Sequence, residues 1–346
     1  MKLLDADLNM ENLYLKKDAK TGLIAIIAIH NTKMGPALGG CRFVPYPSVD
    51  AAMLDAIKLA TAMTYKSTMA GLPLGGGKSV IISHSGISDR KKLFEVFGHF
   101  VDELNGLYIT ASDSGTNEED MRVIATRTTH VTSINKRNET NDDTAYMTAA
   151  GLVKAMEAAV HFKLGKSQLE GVRVAIQGLG SVGYILAQML LAKGAELSVC
   201  DVNQTLLEQV NRKIKVKTVA VDQIMQIEAD VFSPCALGGI IDYAAIAKIN
   251  APIICGAANN QLAEAAIDEV LFKKGILFVP DYIANAGGVI CAAAQAGVIS
   301  KEVSYQKVDN IYASVMNILQ TSADLAIPTS ALANSLAEKQ FMSEQA

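Results

Sequence analysis

Tryptophan is missing from this 346-residue chain, and only 5% of its residues are aromatic. The core must therefore be built from Ala, Ile, Leu, Val and Met. Long apolar runs are missing as well: no segment reaches the roughly 18 unbroken apolar residues of a membrane-spanning helix. The opening residues, MKLLDADLNMENL, carry acids where a secretory signal has its apolar run. No C-x-x-C occurs. The five cysteines, Cys41, Cys200, Cys235, Cys255 and Cys291, are odd in number and scattered, which argues against a disulfide framework or a zinc site and for reduced thiols. The five histidines, His30, His84, His99, His130 and His161, have no metal-ligand spacing, so no metal is expected. No basic block is present and the net charge is -4, which removes the usual footprint of nucleic-acid binding. These absences leave a soluble, cytoplasmic protein with no membrane partner. With half its residues hydrophobic and 19% charged, it is long enough for two domains with sizeable cores.

Strand and helix signals alternate along the chain. Leu23 to Ile29 (LIAIIAI) reads as a buried strand. Residues 48 to 64 have helical spacing, with Pro47 before Ser48 as cap, and the helix ends near Lys66. A glycine turn and a strand around Val80 follow. Asp89 to Leu104 reads as a helix stopped by Asn105-Gly106, Leu107 to Thr110 as a strand, and Glu118 to Ile124 as a helix. Asn135 to Thr144 (NKRNETNDDT) is the most polar stretch and reads as a linker. Beyond it come a helix (Ala145 to Phe162), a strand (Val172 to Gln177), a helix (Tyr184 to Lys193) and a strand (Leu197 to Cys200). Asp230 to Phe232, Pro252 to Cys255 and Ile276 to Val279 read as further parallel strands. The pattern is that of an α/β protein.

Two places carry chemistry. The segment Met63 to Val80 (MTYKSTMAGLPLGGGKSV) sets Lys66 and Lys78 among small and apolar residues, with no acid between them. Buried lysines are costly unless paired or put to use. One lysine is suited to hold an anion, and the other, desolvated, to act as a base. Gly71, Gly75, Gly76 and Gly77 allow a backbone to approach a small ligand. A phosphate-binding P-loop is the competing reading, but it needs glycine where Leu72 stands and a helix where a strand follows Lys78.

The second place is Gly178-Leu-Gly180-Ser-Val-Gly183. A strand precedes it, a helix follows, and a second strand ends in Asp201 at close to the expected spacing of about 20 residues. Gly178 and Gly180 would allow the tight turn and the approach of a pyrophosphate. The helix start at Ser181 and Val182 offers amides to it, and Gly183 permits close helix–strand packing. Asp201 can bond both ribose hydroxyls and repels a 2'-phosphate, which favours NAD over NADP. FAD is a competing ligand, but its fingerprint usually lies near the N-terminus. A cofactor half after a separate α/β half suggests a cleft enzyme.

At this point the residues resemble a family, the amino-acid dehydrogenases acting on glutamate, leucine, phenylalanine and valine, and above all its leucine and phenylalanine branch. The likeness runs through Gly35-Pro-Ala-Leu-Gly-Gly40 with Arg42, Met63-Thr-Tyr-Lys66, Gly75-Gly-Gly-Lys78 and Asp113 with Gly115-Thr116. It continues through Thr144-Ala-Tyr146, Gln177-Gly-Leu-Gly180, Pro234-Cys-Ala-Leu-Gly238, Gly256-Ala-Ala-Asn-Asn260 and Pro280-Asp-Tyr-Ile-Ala-Asn-Ala-Gly-Gly288. The resemblance implies an N-terminal substrate and catalytic domain (1–135, rejoined by a C-terminal helix, 326–346), and a Rossmann-like doubly wound NAD-binding domain (136–325), with a cleft between. It implies reversible oxidative deamination and a homo-oligomer, a dimer or larger. By the match, Lys66 binds the substrate carboxylate, Lys78 activates water and Asp113 exchanges protons. Alone, Lys66 would read as a helix cap and Asp113 as a turn residue; the ordered context reverses both.

Leu38, Gly39, Gly40, Ala111, Asn260, Asn285, Val289 and Ala292 fall on the substrate side of the resemblance. Thr144, Cys235, Ala236, Ala258 and Asn259 join the glycine loop and Asp201 on the cofactor side. Cys41 and Cys235 read as packing thiols without chemistry of their own. Glutamate-specific members carry a lysine where this chain has Leu38, so an acidic side chain is not expected. Ala292 is smaller than the valine frequent in the leucine branch, and Ser112 replaces a glutamate. An apolar amino acid, branched-chain first and aromatic as alternative, is the expected substrate. A non-catalytic NAD-binding regulator is the rival from another class.

Overall fold

A computed structural model describes residues 10–134 and 144–343. The expected linker, but for Thr144, lies outside the described residues, as do the first nine positions. The chain divides into two compact units: Met1–Glu139 with Ala292–Lys301 and Ala337–Ala346, and Thr140–Cys291 with Glu302–Leu336.

The first unit runs β1 (Asn12–Asp18), β2 (Leu23–Asn31), β3 (Ala37–Val44), α1 (Val49–Met69), β4 (Gly75–Ile82), α2 (Arg90–Asp102), β5 (Tyr108–Ser112) and α3 (Glu118–Ala125). Its sheet has the order β1-β2-β4-β3-β5. β3 is parallel to both β4 and β5, whereas β2 is antiparallel to β4 and β1. Local signals set the helix starts: the Ser48 side chain accepts from Ala51 N at 3.1 Å, Asp89 caps α2, and Asn117 and Asp120 form a capping box on α3. α2 gives way at Asn105, whose φ is 48°. Because side chains alternate along a strand, the sheet has two faces. Ile26, Ala28, Val80 and Ile82 pack on Ala52, Ala56, Ile57 and Ala60 of α1. Ile27, Ala37, Cys41, Ile81 and Tyr108 pack on α2 and α3 through Phe94, Phe97, Met121 and Ile124.

The second unit begins with α4 (Thr144–Leu164). It continues through β6 (Arg173–Gln177), α5 (Ser181–Ala192), β7 (Glu196–Cys200), α6 (Gln204–Lys213), β8 (Lys217–Thr218), β9 (Val231–Pro234), α7 (Tyr243–Lys248), β10 (Ile253–Ile254), α8 (Ala266–Lys273) and β11 (Leu277–Phe278). Helices α9 (Asp281–Ala284), α10 (Gly287–Gln295), α11 (Lys301–Asp309), α12 (Ile311–Leu325) and α13 (Thr329–Ser343) follow. α10 ends, and α13 finishes, within the first unit. The sheet order is β11-β10-β9-β6-β7-β8, and every pair is parallel. This is the doubly wound arrangement, in which the chain reverses its direction of growth between β6 and β9; ligands bind beyond the strand ends at such a switch point. Among the described residues no helix is long and apolar enough to cross a membrane.

Candidate active site

The strand register brings the first unit's candidates onto one face. Gly40 is flanked by Ala111 on one side, with Leu38 beside Ile109 and Gly76. Lys78 lies opposite Ala28 on β4. By alternation Leu38, Gly40, Arg42, Lys78, Ala111 and Asp113 all face α1. Lys78 is 6% exposed and ion-paired with the Asp113 carboxylate. It sits in the middle of β4, and the strand begins at Gly75. The expected glycine turn is therefore confined to Gly71, at φ 60°, and Gly75 to Gly77 are strand. A Cβ at Gly75 would stand 1.8 Å from Asn31 O, at Gly76 2.1 Å from Thr64 N, and at Gly77 2.8 Å from the Tyr108 ring. These glycines admit neighbouring strands, α1 and an aromatic ring, not a ligand. Likewise a Cβ at Gly39 would lie 1.7 Å from Gly77 O.

Asp113 stands just past β5 in a loop held from several sides. Its backbone N–H donates to Thr116 Oγ1 (2.8 Å), which donates to Cys41 O (2.9 Å). Arg90, stacked over Phe43 and Phe94, donates to Gly115 O at 2.7 Å and binds Asp120 with two nitrogens. Gly115 needs its φ of +82°, and a Cβ there would meet Phe43 O at 1.9 Å. Burial alone would raise the Asp113 carboxyl. The Lys78 charge and hydrogen bond, the Ser114 amide (2.7 Å) and Arg42 (3.7 Å) outweigh it and hold the group below the usual carboxylate range. Burial pushes the neighbouring Cys41 thiol up to about 12, which leaves it a packing group.

Lys66 lies half-buried in the last turn of α1. Leu38 is 2% exposed and Ala111 is 7% exposed. Ala292, on α10, is buried, and its carbonyl accepts from Thr132 Oγ1 at 3.1 Å; Thr132 N in turn donates to Thr110 O of β5 at 2.9 Å. Val289, one turn earlier on α10, is buried within the second unit.

In the second unit the glycine loop leaves β6 and opens α5. Gly178, at φ +100°, turns the chain where a Cβ would stand 2.7 Å from Ala236 Cβ. That glycine makes room for the Cys235–Ala236 loop rather than for a phosphate. A Cβ on Gly183 would lie 2.1 Å from Gly178 O, as close helix–strand packing demands. Gly180 differs: among the described residues a Cβ there meets nothing within 4 Å, and no side chain caps the helix-start amides of α5 at Ser181 and Val182. Asp201 reaches back, accepting from Leu179 N (2.7 Å) and Asn203 N (2.8 Å). Each oxygen keeps a further lone pair for a ligand.

Beyond β9 and β10, Cys235 N donates to Gln177 O and Ala258 N to Pro234 O. Asn285 is 4% exposed; its Nδ2 donates to Ala257 O (3.0 Å) and Asn259 Oδ1 (2.8 Å), while its Oδ1 is buried without a hydrogen-bond partner among the described residues. Asn260 is exposed at φ 52°, and its carbonyl accepts from Gly239 N at 2.7 Å. Thr144 opens α4, and its carbonyl accepts from Thr148 Oγ1. The five cysteines are free thiols. Sequence reasoning placed Arg42 in a motif without a role and passed over Tyr46 and Asp55. No spacing rule signals an ion pair between a strand and a later helix.

A family model described as "Glu/Leu/Phe/Val dehydrogenase, dimerisation domain" matches residues 11–130, and one described as "Glutamate/Leucine/Phenylalanine/Valine dehydrogenase" matches 141–209 and 198–298. The chain belongs to the Glu/Leu/Phe/Val dehydrogenase family. This is a family of amino-acid dehydrogenases, oxidoreductases that act on a CH–NH2 group. The chain is 40% identical to the leucine dehydrogenase of Bacillus subtilis (strain 168) over 96% of this chain and 91% of that one. It is 39% identical to the phenylalanine dehydrogenase of Lysinibacillus sphaericus over 97% and 90%. Its structure is similar to the crystal structure of L-tryptophan dehydrogenase from Nostoc punctiforme, at a TM-score of 0.85 and 36% identity, covering 98% of each chain. Three dehydrogenases named for different amino acids stand at nearly equal identity, so overall likeness does not choose the substrate.

Proposed function

We propose that the protein is an NAD-dependent dehydrogenase that reversibly converts an apolar L-amino acid, NAD and water to the 2-oxo acid, ammonia and NADH. A branched-chain substrate such as leucine is the first choice. The observation that carries this reading is the ion pair of buried Lys78 with half-buried Asp113 on the α1 face of the first sheet, packed against Gly40, where a Cβ would press on Asp113 Cβ at 2.7 Å and Lys78 Nζ at 3.3 Å. A buried lysine with a carboxylate partner is equipped to pass protons.

In this reading Lys66 anchors the substrate carboxylate. Lys78 takes a proton from the water that attacks the imino acid, and Asp113 exchanges protons with the amine. The orphaned Oδ1 of Asn285 supplies an acceptor on the second unit. The open space over Gly180 and the uncapped start of α5 fit a pyrophosphate, and Asp201 fits a ribose diol. NAD, when bound, accepts the hydride from the substrate's Cα. Asp201 favours NAD over a 2'-phosphorylated cofactor. Leu38 offers a substrate side chain no counter-charge, which disfavours glutamate. We take the working form to be a cytoplasmic homo-oligomer joined through the region that matches the dimerisation domain.

Ala292 favours a second reading, an aromatic substrate: it is a small residue at a position the leucine branch usually fills with valine. A missing methylene discriminates by only about 1–3 kcal/mol, so kcat/KM over a panel of apolar and aromatic amino acids decides. Leucine, valine or isoleucine should lead; if phenylalanine or tryptophan leads, the second reading holds. NADH formation with none of them refutes both and favours a non-catalytic regulator.

A further inference from the structure

One charge on the active face has no task in that reading. Arg42 of β3 sends Nη1 to Asp55 Oδ2 on α1 at 2.9 Å, and Tyr46 donates to the same oxygen. The guanidinium is thus fixed from behind. Its Nε–H is buried and has no hydrogen-bond acceptor among the described residues. It faces Asp113 Oδ2 at 3.7 Å, within ion-pair range but beyond a hydrogen bond. A buried donor left without a partner is unfavourable unless it is put to use.

We propose that Arg42 is a positioning residue for Asp113, whose carboxylate moves onto the Arg42 Nε–H while Lys78 Nζ is turned to the reacting water. This rests on the functional reading above. For Lys78 to take a proton from the water, its ammonium must first pass its own proton to solvent, and the neutral amine then no longer holds the carboxylate. A half-buried carboxylate without a cation would take up a proton or swing away. A shift of about 1 Å brings Oδ2 from 3.7 Å to hydrogen-bond distance of Nε. The absent side chain at Gly40 lets Asp113 pack directly on β3, where a Cβ would stand 2.7 Å from Asp113 Cβ and 2.9 Å from Ser112 O.

The charged and titratable groups around Asp113 can be named. Lys78 comes from β4, and Arg42 from β3 with Asp55 and Tyr46 behind it. Cys41 lies beneath as a protonated thiol, and Asp120 on α3 is closed in its own pair with Arg90. Arg42 is the last of the groups that hold the Asp113 carboxyl low.

The test uses full-length protein, with the Asp113 carboxyl followed by carbon NMR (assigned by its loss in Asp113→Asn) and kcat followed against pH. In Arg42→Gln both the carboxyl midpoint and the acid limb of kcat should move up by on the order of one pH unit. At neutral pH kcat should fall about tenfold, while KM for leucine stays within about threefold and NAD still binds. Arg42→Lys should bring the limb back toward the parent's. Asp55→Asn should not move it upward, because Arg42 then has one anion fewer to share. An unmoved midpoint in Arg42→Gln overturns the proposal, as does an upward move in Asp55→Asn. If Arg42→Gln does not fold, Asp55→Asn and Arg42→Lys decide by the same signs. A parent protein that oxidises no apolar amino acid sinks the functional reading, while the carboxyl titration still judges Arg42.

Discussion

Glycine-rich segments occur in both units, and they differ at one position. In the first unit a Cβ added at Gly39, Gly75, Gly76 or Gly77 would strike backbone or a ring. Those glycines are consumed by the protein's own packing, and they let two strands and α1 close around a charged side chain. In the second unit the loop is split: Gly178 and Gly183 are consumed in the same way, and Gly180 alone borders open space. A glycine run in a sequence is therefore not evidence of a ligand; what stands where the side chain would be is. The charges differ in parallel. Lys78 and Asp113 satisfy each other, whereas Asp201 is spent in part on holding its own loop.

The largest effect should come from breaking the charged pair. Lys78→Ala should lower turnover about a thousandfold and leave NAD binding, measured by calorimetry, unchanged. Near-normal kcat in this variant would show that the pair is structural. The same variant carries a pH signature. The folded Asp113 carboxyl lies below its unfolded value of about 3.9, so its contribution to stability is present above that value and is lost as pH falls through the lower folded one. Without Lys78 the main downward influence is gone, and acid unfolding should begin at higher pH.

Next comes the contrast between glycines. Gly39→Ala must displace Gly77 O and should destabilise the protein by about 3 kcal/mol. Gly180→Ala should change stability by less than about 1 kcal/mol and weaken NAD roughly tenfold, since its Cβ intrudes where a phosphate would approach. Equal loss of stability in the two variants, read by denaturant midpoint, would remove the distinction.

The second unit was the more legible in sequence. All its strands but β8 fall on short, mostly apolar runs, and strand, glycine turn, helix, strand and acid follow in the order of a dinucleotide-binding fingerprint. Helix starts at Ser48 and Asp89 were legible because one side chain makes each cap. The first unit hid more. β3 carries Gly39-Gly40 and β4 opens on three glycines, so both lose the side chains that mark a strand, and the need for those glycines lies in tertiary neighbours. The Lys78–Asp113 pair spans β4 and the loop after β5, and the Arg42–Asp55 pair spans β3 and α1; only the resemblance pointed to the first, and nothing pointed to the second.

The smallest effect concerns Asp201, where binding and folding share one carboxylate. Asp201→Asn keeps one acceptor and loses the charge. One of the two backbone bonds, from Leu179 N or Asn203 N, is weakened, at a cost of about 1 kcal/mol. The repulsion of a 2'-phosphate goes with the charge, and so does one charge-assisted bond to the ribose. The ratio of kcat/KM for NAD over NADP should therefore fall by roughly tenfold, mostly through weaker NAD binding, with kcat on saturating NAD almost unchanged. A ratio that stays constant while stability drops would assign Asp201 wholly to the loop. The discrimination between cofactors would then have to come from other groups on the second unit.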